Sequence, residues 1–295
     1  GAQPLSAVAE GKLSLDEFMA QLGDEELIHL LGGQPNAGVS NTFGIGNLPE
    51  YGVPDITTAD GPAGLRLSPE VGVCTTAWPC ATLLAATWDE ALTAEVGAAA
   101  AEEVKENNIS VWLAPAVNIH RSPLCGRNFE YYSEDPLLTG KLASAMVRGV
   151  QSQSVAATVK HFACNNKETN RKNSDSRLSQ RALREIYLRA FEIIVREARP
   201  WAIMSSYNII NGRRASESRE LLTDILRTEW GYTGMVMTDW WTRGEHYKEL
   251  LAGNNLKIAN GYPERVRETM KLGAFTRGDL EVCARRVLEL ILRIQ

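Results

Sequence analysis

The sequence predicts an α/β fold, a (β/α)8 TIM-like barrel formed by residues 1–295 as one domain. Three observations predict it. Short apolar segments alternate with helical patterns, as buried parallel strands and their crossover helices do. That alternation runs over about 250 residues, the usual extent of such a barrel. No internal repeat, low-complexity tract or Pro/Gly-rich linker divides the chain, so one large core is expected. A doubly wound sheet is the rival architecture. The first barrel strand is allowed to be irregular or incomplete.

In chain order, Ser14 opens a helical pattern carried by Leu15, Phe18, Met19 and Leu22. A second short helix runs toward Leu31 and stops at Gly32-Gly33. Apolar segments at 55–58, 83–86, 111–116, 155–159, 202–205, 235–238 and 256–258 read as strands. Thr87, followed three residues later by Glu90, reads as a capping box opening an alanine-rich helix toward Asn107. Ser179 opens another helix, with Leu183, Ile186, Tyr187, Ala190, Ile193 and Ile194 on one face. Further helices are expected at 136–151, 218–230, 243–252 and 276–294.

Bulk properties exclude several functions. The net charge is −5 with acids and bases interspersed, so no basic stripe awaits nucleic acid. No apolar run approaches a membrane span. The five cysteines form no C-x-x-C pair, and buried free thiols are expected over a Cys74–Cys80 disulfide. Residues 1–11 lack the basic and apolar regions of a signal peptide. A cytoplasmic location is therefore expected over a secreted one. Opening with Gly, the chain reads as processed, tagged or cut from a longer protein, so the parent's location stays open.

The polar residues carry the functional signal. Asp60 follows the first predicted strand, Asn118 and His120 the third, Lys160-His161 the fourth, Tyr207-Asn208 the fifth and Asp239-Trp240 the sixth. In a parallel barrel these positions converge on the C-terminal mouth, where active sites lie. Carboxylate, Lys, His, Arg and Trp at one mouth suit a sugar, whose hydroxyls need donors and acceptors. Asp60 and Asp239 would repel each other unless cations intervened, and Lys160, Arg66 and Arg127 are available.

Five motifs appear in order. They are Asp60-Gly61-Pro62-Ala63-Gly64-Leu65-Arg66; Gly126-Arg127-Asn128-Phe129-Glu130 with Tyr132-Ser133-Glu134-Asp135-Pro136; Lys160-His161-Phe162; Met204-Ser205-Ser206-Tyr207-Asn208; and Thr238-Asp239-Trp240. Together they resemble the barrel domain of glycoside hydrolase family 3, from about Leu15 to Ile294. The resemblance implies a retaining, exo-acting β-glycosidase, a β-glucosidase first among candidates, acting on a mono- or oligosaccharide β-glycoside. It implies Asp239 as catalytic nucleophile, and Asp60, Arg66, Arg127, Lys160 and His161 as ligands of the sugar hydroxyls. Tyr207 and Trp240 would line the same subsite. The family usually has Ser before the nucleophile; Thr238 keeps the hydroxyl.

A retaining mechanism needs a second carboxyl about 5–5.5 Å from the first. In most of the family that acid/base is a Glu on a separate α/β sandwich domain, which has no counterpart here. The N-acetylglucosaminidase branch uses an Asp-x-His dyad instead. Here that loop reads Asn173-Ser174-Asp175-Ser176-Arg177, with Arg in the histidine's place. The segment 13–31 and the lead-in Phe43-Gly44-Ile45-Gly46-Asn47-Leu48-Pro49 resemble members in which the sandwich precedes the barrel.

Plainer readings stand beside these. Taken alone, Asp239 reads as a helix cap or a salt-bridged strand-end residue, which Trp240 and the four partner motifs outweigh; Asp60 reads as the cap of its Gly-Pro turn, and Arg127 as an ion-pair partner of Glu130 or Glu134. Arg121 and Arg177 read as loop-stabilising, Trp112 and Trp201 as core, and Trp78, Trp88 and Trp241 as undecided. No metal is expected, because no carboxylate or third His lies at ligand spacing from His120 and His161. No cofactor is expected. Rival functions are a sugar-binding module without a proton donor, a β-xylosidase or N-acetylglucosaminidase, and an aldolase-like barrel using Lys160 as a Schiff base.

Overall fold

The computed structural model describes residues 1–36 and 38–294. A six-stranded sheet curls through β1 (Gly44–Leu48), β2 (Val53–Ala59), β3 (Val111–Trp112), β4 (Ala156–Phe162), β6 (Ala202–Ser205) and β9 (Met235–Thr238). All neighbours pair in parallel except β1 and β2, which form an antiparallel hairpin. A separate small sheet, β5 (Asp175–Ser176), β7 (Ile209–Ile210) and β8 (Arg213–Arg214), is built from the loops after β4 and β6.

Two bridged segments close the ring. Leu256 bridges Met237 of β9, Lys257 bridges Gly32, and Gln34 bridges Gly44 of β1. Six strands and two bridged segments thus make eight staves, seven of them running one way. The barrel is present, with its irregularity at the start of the chain as the sequence allowed. The stave β1 lacked a strand signature because Gly44, Gly46 and Asn47 are poor strand formers. Its Gly46 sits at φ +94, where a side chain would be strained.

Along the strands, side chains alternate between two cores, as the period of two requires. Ile203 and Val236 face the cluster that holds Leu142, Met146, Phe191 and Leu222 from the outer helices. Ala202, Met204, Met235 and Met237 belong to the other cluster, with Leu256, Ile258 and Val287.

Three expectations need correction. Residues 83–86 are no strand; they lie in a helix, Ala81–Thr87, with Leu83 exposed. An Ala/Leu run favours helix, and four apolar residues cannot distinguish the two states. The next helix, Glu90–Glu106, is capped by Asp89, whose carboxylate accepts from the Leu92 N–H at 2.9 Å. Thr87 instead bonds back to the Leu84 carbonyl, ending the preceding helix. Segment 256–258 contributes single bridges rather than a strand. The expected helices at 136–151 and 276–294 form as Pro136–Gln151 and Arg277–Ile294, while Glu220–Glu229 is wound as a π-helix.

Candidate active site

The C-terminal ends of β2, β4, β6 and β9 bring Asp60, Lys160-His161, Tyr207 and Asp239-Trp240 to one mouth. Lys160, almost fully buried on β4, donates to Asp60 Oδ1 at 2.7 Å. Burial raises the Asp60 pKa, but the Lys160 ammonium, the Gly61 N–H and Arg66 outweigh it and bring it down to about 2. Asp60 also caps its own turn, accepting from Gly61 N–H at 2.8 Å. Arg66 stands farther out, half exposed and 3.4 Å from Asp60 Oδ2.

His161 is buried beside this pair. Its Nε2 lies 3.0 Å from Arg127 Nη2 and its Nδ1 2.9 Å from the Tyr131 hydroxyl. Burial, then the charges of Arg127, Lys160 and Arg171, hold its pKa well below the usual imidazole range. The ring is neutral. An arginine donates to Nε2, so the proton sits on Nδ1, facing the tyrosine. Asn118 fixes the backbone here, accepting from the His161 N–H at 3.1 Å and donating to its carbonyl at 2.9 Å.

Asp239 completes the set. Its Oδ1 accepts from the Trp240 N–H at 2.7 Å, and its Oδ2 lies 3.8 Å from His161 Nε2. Burial raises its pKa, against the pull of the Trp240 N–H, Arg127, Lys160 and Arg171. The Tyr207 hydroxyl donates to the Trp240 carbonyl at 2.6 Å, fixing the turn. The Trp240 side chain is partly buried and packs against the inner core.

Arg127 is an ion-pair partner, as its plainer reading had it, and it also lies at the mouth. It pairs with Glu130 at 2.5 Å and also reaches His161. Glu134 is not its partner. Arg177 pairs with Asp175 at 3.0 Å, as a loop-stabilising residue should, and Arg121 covers the Tyr187 ring at 5.9 Å. Trp112 is core, Trp88 is exposed and Trp241 is half exposed at the mouth. Trp201 is only partly buried and lines a concavity of about 820 Å³ with Arg196, Trp230 and Arg293. That concavity opens at the N-terminal ends of β6 and β9, away from the chemistry. All five cysteines are free.

Taken together, a buried carboxylate, a neutral imidazole and a paired lysine share one barrel mouth, and one comparison decides the family. The description "Glycosyl hydrolase family 3 N terminal domain" matches residues 49–290.

The chain belongs to glycosyl hydrolase family 3.

Beta-glucosidase A of Butyrivibrio fibrisolvens is 64% identical over 274 residues, which are 93% of this chain and 33% of that protein. An exo-alpha-(1->6)-L-arabinopyranosidase of Bifidobacterium longum is 44% identical over 250 residues, 81% of this chain and 33% of its own length. Beta-glucosidase 3B from Thermotoga neapolitana, solved in complex with alpha-D-glucose, superposes with a TM-score of 0.89 at 43% identity, covering 94% of this chain and 42% of that one. The chain thus spans about a third of the length of the curated relatives it matches.

Within this family barrel, sequence reasoning missed Asn165, Arg171 and Lys172 in the loop after β4. Arg171 stacks over the Tyr207 ring at 4.9 Å and pairs with Glu168 at 3.1 Å. Lys172 lies 5.0 Å from the same ring. Asn165 donates to the Tyr131 hydroxyl at 2.9 Å. The available signal was the polar run after Lys160-His161, which begins at a strand end as most of the site segments do.

Proposed function

We propose that this barrel binds the terminal, non-reducing sugar of a β-glycoside and that Asp239 attacks its anomeric carbon. The protein would then be a retaining, exo-acting β-glycosidase, with a β-glucoside as substrate. The observation that carries this reading is the setting of Asp239. One carboxylate oxygen is tied to the adjacent backbone and the other lies 3.8 Å from His161 Nε2. Asp60, Lys160, His161, Arg127 and Arg66 would hold the hydroxyls, with Tyr207 and Trp240 lining the subsite.

The neighbouring carboxyls do not suit the second role. Asp60 is paired with Lys160, Glu130 with Arg127 and Glu168 with Arg171, so each is held as an acceptor. Asp175 is engaged by Arg177 and the Gly212 N–H. We propose, on the family resemblance, that the acid/base is a Glu on an α/β sandwich domain outside this chain. The glucosidase relatives favour glucose, while one relative at 44% identity is named an arabinopyranosidase.

The same ion pairing favours a second reading for the chain in isolation: a sugar-binding barrel that lacks a proton donor. Leaving groups separate the two. Dinitrophenyl β-glucoside needs no protonation, whereas methyl β-glucoside does. Lacking its general acid, the chain should cleave the first and process the second about 10²–10⁴-fold below the level of a complete site. Saturable glucose binding with no dinitrophenolate release would leave only the binding module.

A further inference from the structure

Among the described residues, one ion pair is wholly withdrawn from solvent: Lys257 with Glu249. Neither is a proposed sugar ligand. Burying two charges costs desolvation that their attraction rarely offsets, so the groups they hold decide their use. Lys257 Nζ donates to Thr242 Oγ1 at 3.1 Å, to the Thr242 carbonyl at 3.3 Å and to the Gly244 carbonyl at 3.0 Å, besides Glu249. The Glu249 carboxylate accepts from the hydroxyls of Thr242, at 2.6 Å, and Ser216. The turn that begins at Asp239 is thus anchored at Thr242 and Gly244.

The same pair is wired into the barrel wall. Lys257 N–H donates to the Leu31 carbonyl and its own carbonyl accepts from Gly33 N–H, both at 2.9 Å. Next to it, the Ile258 carbonyl accepts from Trp241 N–H at 2.9 Å. On the other side, Asn254 donates to the Glu249 carbonyl at 2.8 Å and accepts from the Ser205 hydroxyl at 2.7 Å. Ser205 in turn accepts the Asp239 N–H on its carbonyl at 3.2 Å. Asp239 orients its carboxylate through the Trp240 N–H of this same turn, so the direction of the carboxylate is set by the turn's backbone.

We infer that Lys257 and Glu249 are positioning residues, which clamp the 239–244 turn from within the wall and so aim the Asp239 carboxylate. The inference rests on Asp239 being the nucleophile. Misplacing a reacting atom by an ångström costs about 10²-fold in rate, and that sets the expected effect.

The test uses the chain as it is, with a dinitrophenyl β-glucoside whose hydroxyl beside the anomeric carbon is replaced by fluorine. An Asp239 oxygen bonds to the anomeric carbon as the bond to the aryl oxygen breaks. Dinitrophenolate leaves with the electron pair and takes no proton, and fluorine slows hydrolysis of the ester, which intact-protein mass spectrometry detects. The double variant Lys257→Met/Glu249→Leu removes the charges while keeping the volume. If it melts cooperatively, it should show an unchanged half-saturating concentration and a limiting trapping rate lowered about 10²-fold. An unchanged limiting rate overturns the proposal. Should the double variant not fold, Thr242→Val removes the threonine's link and leaves the pair, and a limiting rate equal to the parent's would overturn it as well. No ester on the unsubstituted chain would instead defeat the nucleophile assignment, and the clamp's purpose with it.

Discussion

His161 Nε2 lies 3.8 Å from the Asp239 carboxylate and 3.0 Å from Arg127 Nη2. One ring nitrogen thus faces an acid while accepting from a cation, and the imidazole stays neutral. A charged histidine would form an ion pair with Asp239 Oδ2. On the proposed reading, the neutral ring would leave that oxygen to an incoming anomeric carbon.

Replacing Asp239 with Ala should remove the nucleophile while leaving the sugar ligands in place. Turnover of dinitrophenyl β-glucoside should fall by at least about 10⁴-fold, the scale seen when one member of a concerted site is lost. Azide should restore release by direct attack, giving the α-glycosyl azide. Proton NMR of the product reads the anomer. Ordinary turnover in Asp239→Ala would remove the assignment.

Lys160→Met should leave Asp60 mostly buried with its main cationic partner gone. Breaking a buried pair from one side costs about 3–5 kcal/mol, somewhat less here because the Asp60 side chain is about a quarter exposed. A fall in urea stability and lost glucose affinity are both expected. The same ion pair argues against Lys160 as an imine-forming amine, since its Nζ is already committed to Asp60 Oδ1 at 2.7 Å. Borohydride with a carbonyl sugar should therefore leave Lys160 unmodified in a peptide map.

Stability should fall as acid is added below neutrality. His246 is buried, and burial, together with the Lys257 charge, lowers its pKa to about 4. Its Nδ1 accepts from Tyr262 N–H at 3.0 Å, and its Nε2 faces the Leu31 carbonyl at 3.2 Å, an arrangement that needs the neutral ring. A histidine with a depressed folded pKa binds its proton more readily when unfolded. Its contribution is present above the unfolded value and is lost as pH falls from about 6.5 through 4. The size is roughly 3 kcal/mol. His246→Gln, which keeps a donor and an acceptor, should flatten melting temperature against pH over that window. A parallel, undiminished slope in the variant would rule His246 out as the titrating group.

Much of this site was legible because barrel strands announce their ends. Met235–Thr238 and Ala202–Ser205 formed at the expected bounds, since both are buried apolar runs halted by polar residues. The polar residue after each was therefore placed at the mouth. Helix Ala81–Thr87 was misread because a four-residue apolar run carries no period, and Asp89 rather than Thr87 caps the helix Glu90–Glu106. Arg171 was missed because a loop side chain has no periodicity to reveal its direction. Its stacking on Tyr207 depends on how the loop folds back.

From the sequence alone came the barrel class, the family resemblance and the residues gathered at the mouth, because strand periodicity and strand-end polarity are local properties. Three-dimensional packing decided what each residue does there. Arg127 and His161 are 34 positions apart, and Lys160 and Asp60 are 100 apart. Such pairings arise because β2, β3 and β4 lie side by side in one parallel sheet. The buried Lys257–Glu249 pair was likewise invisible. A charge reads as surface until the fold shows that it faces its partner inside the wall.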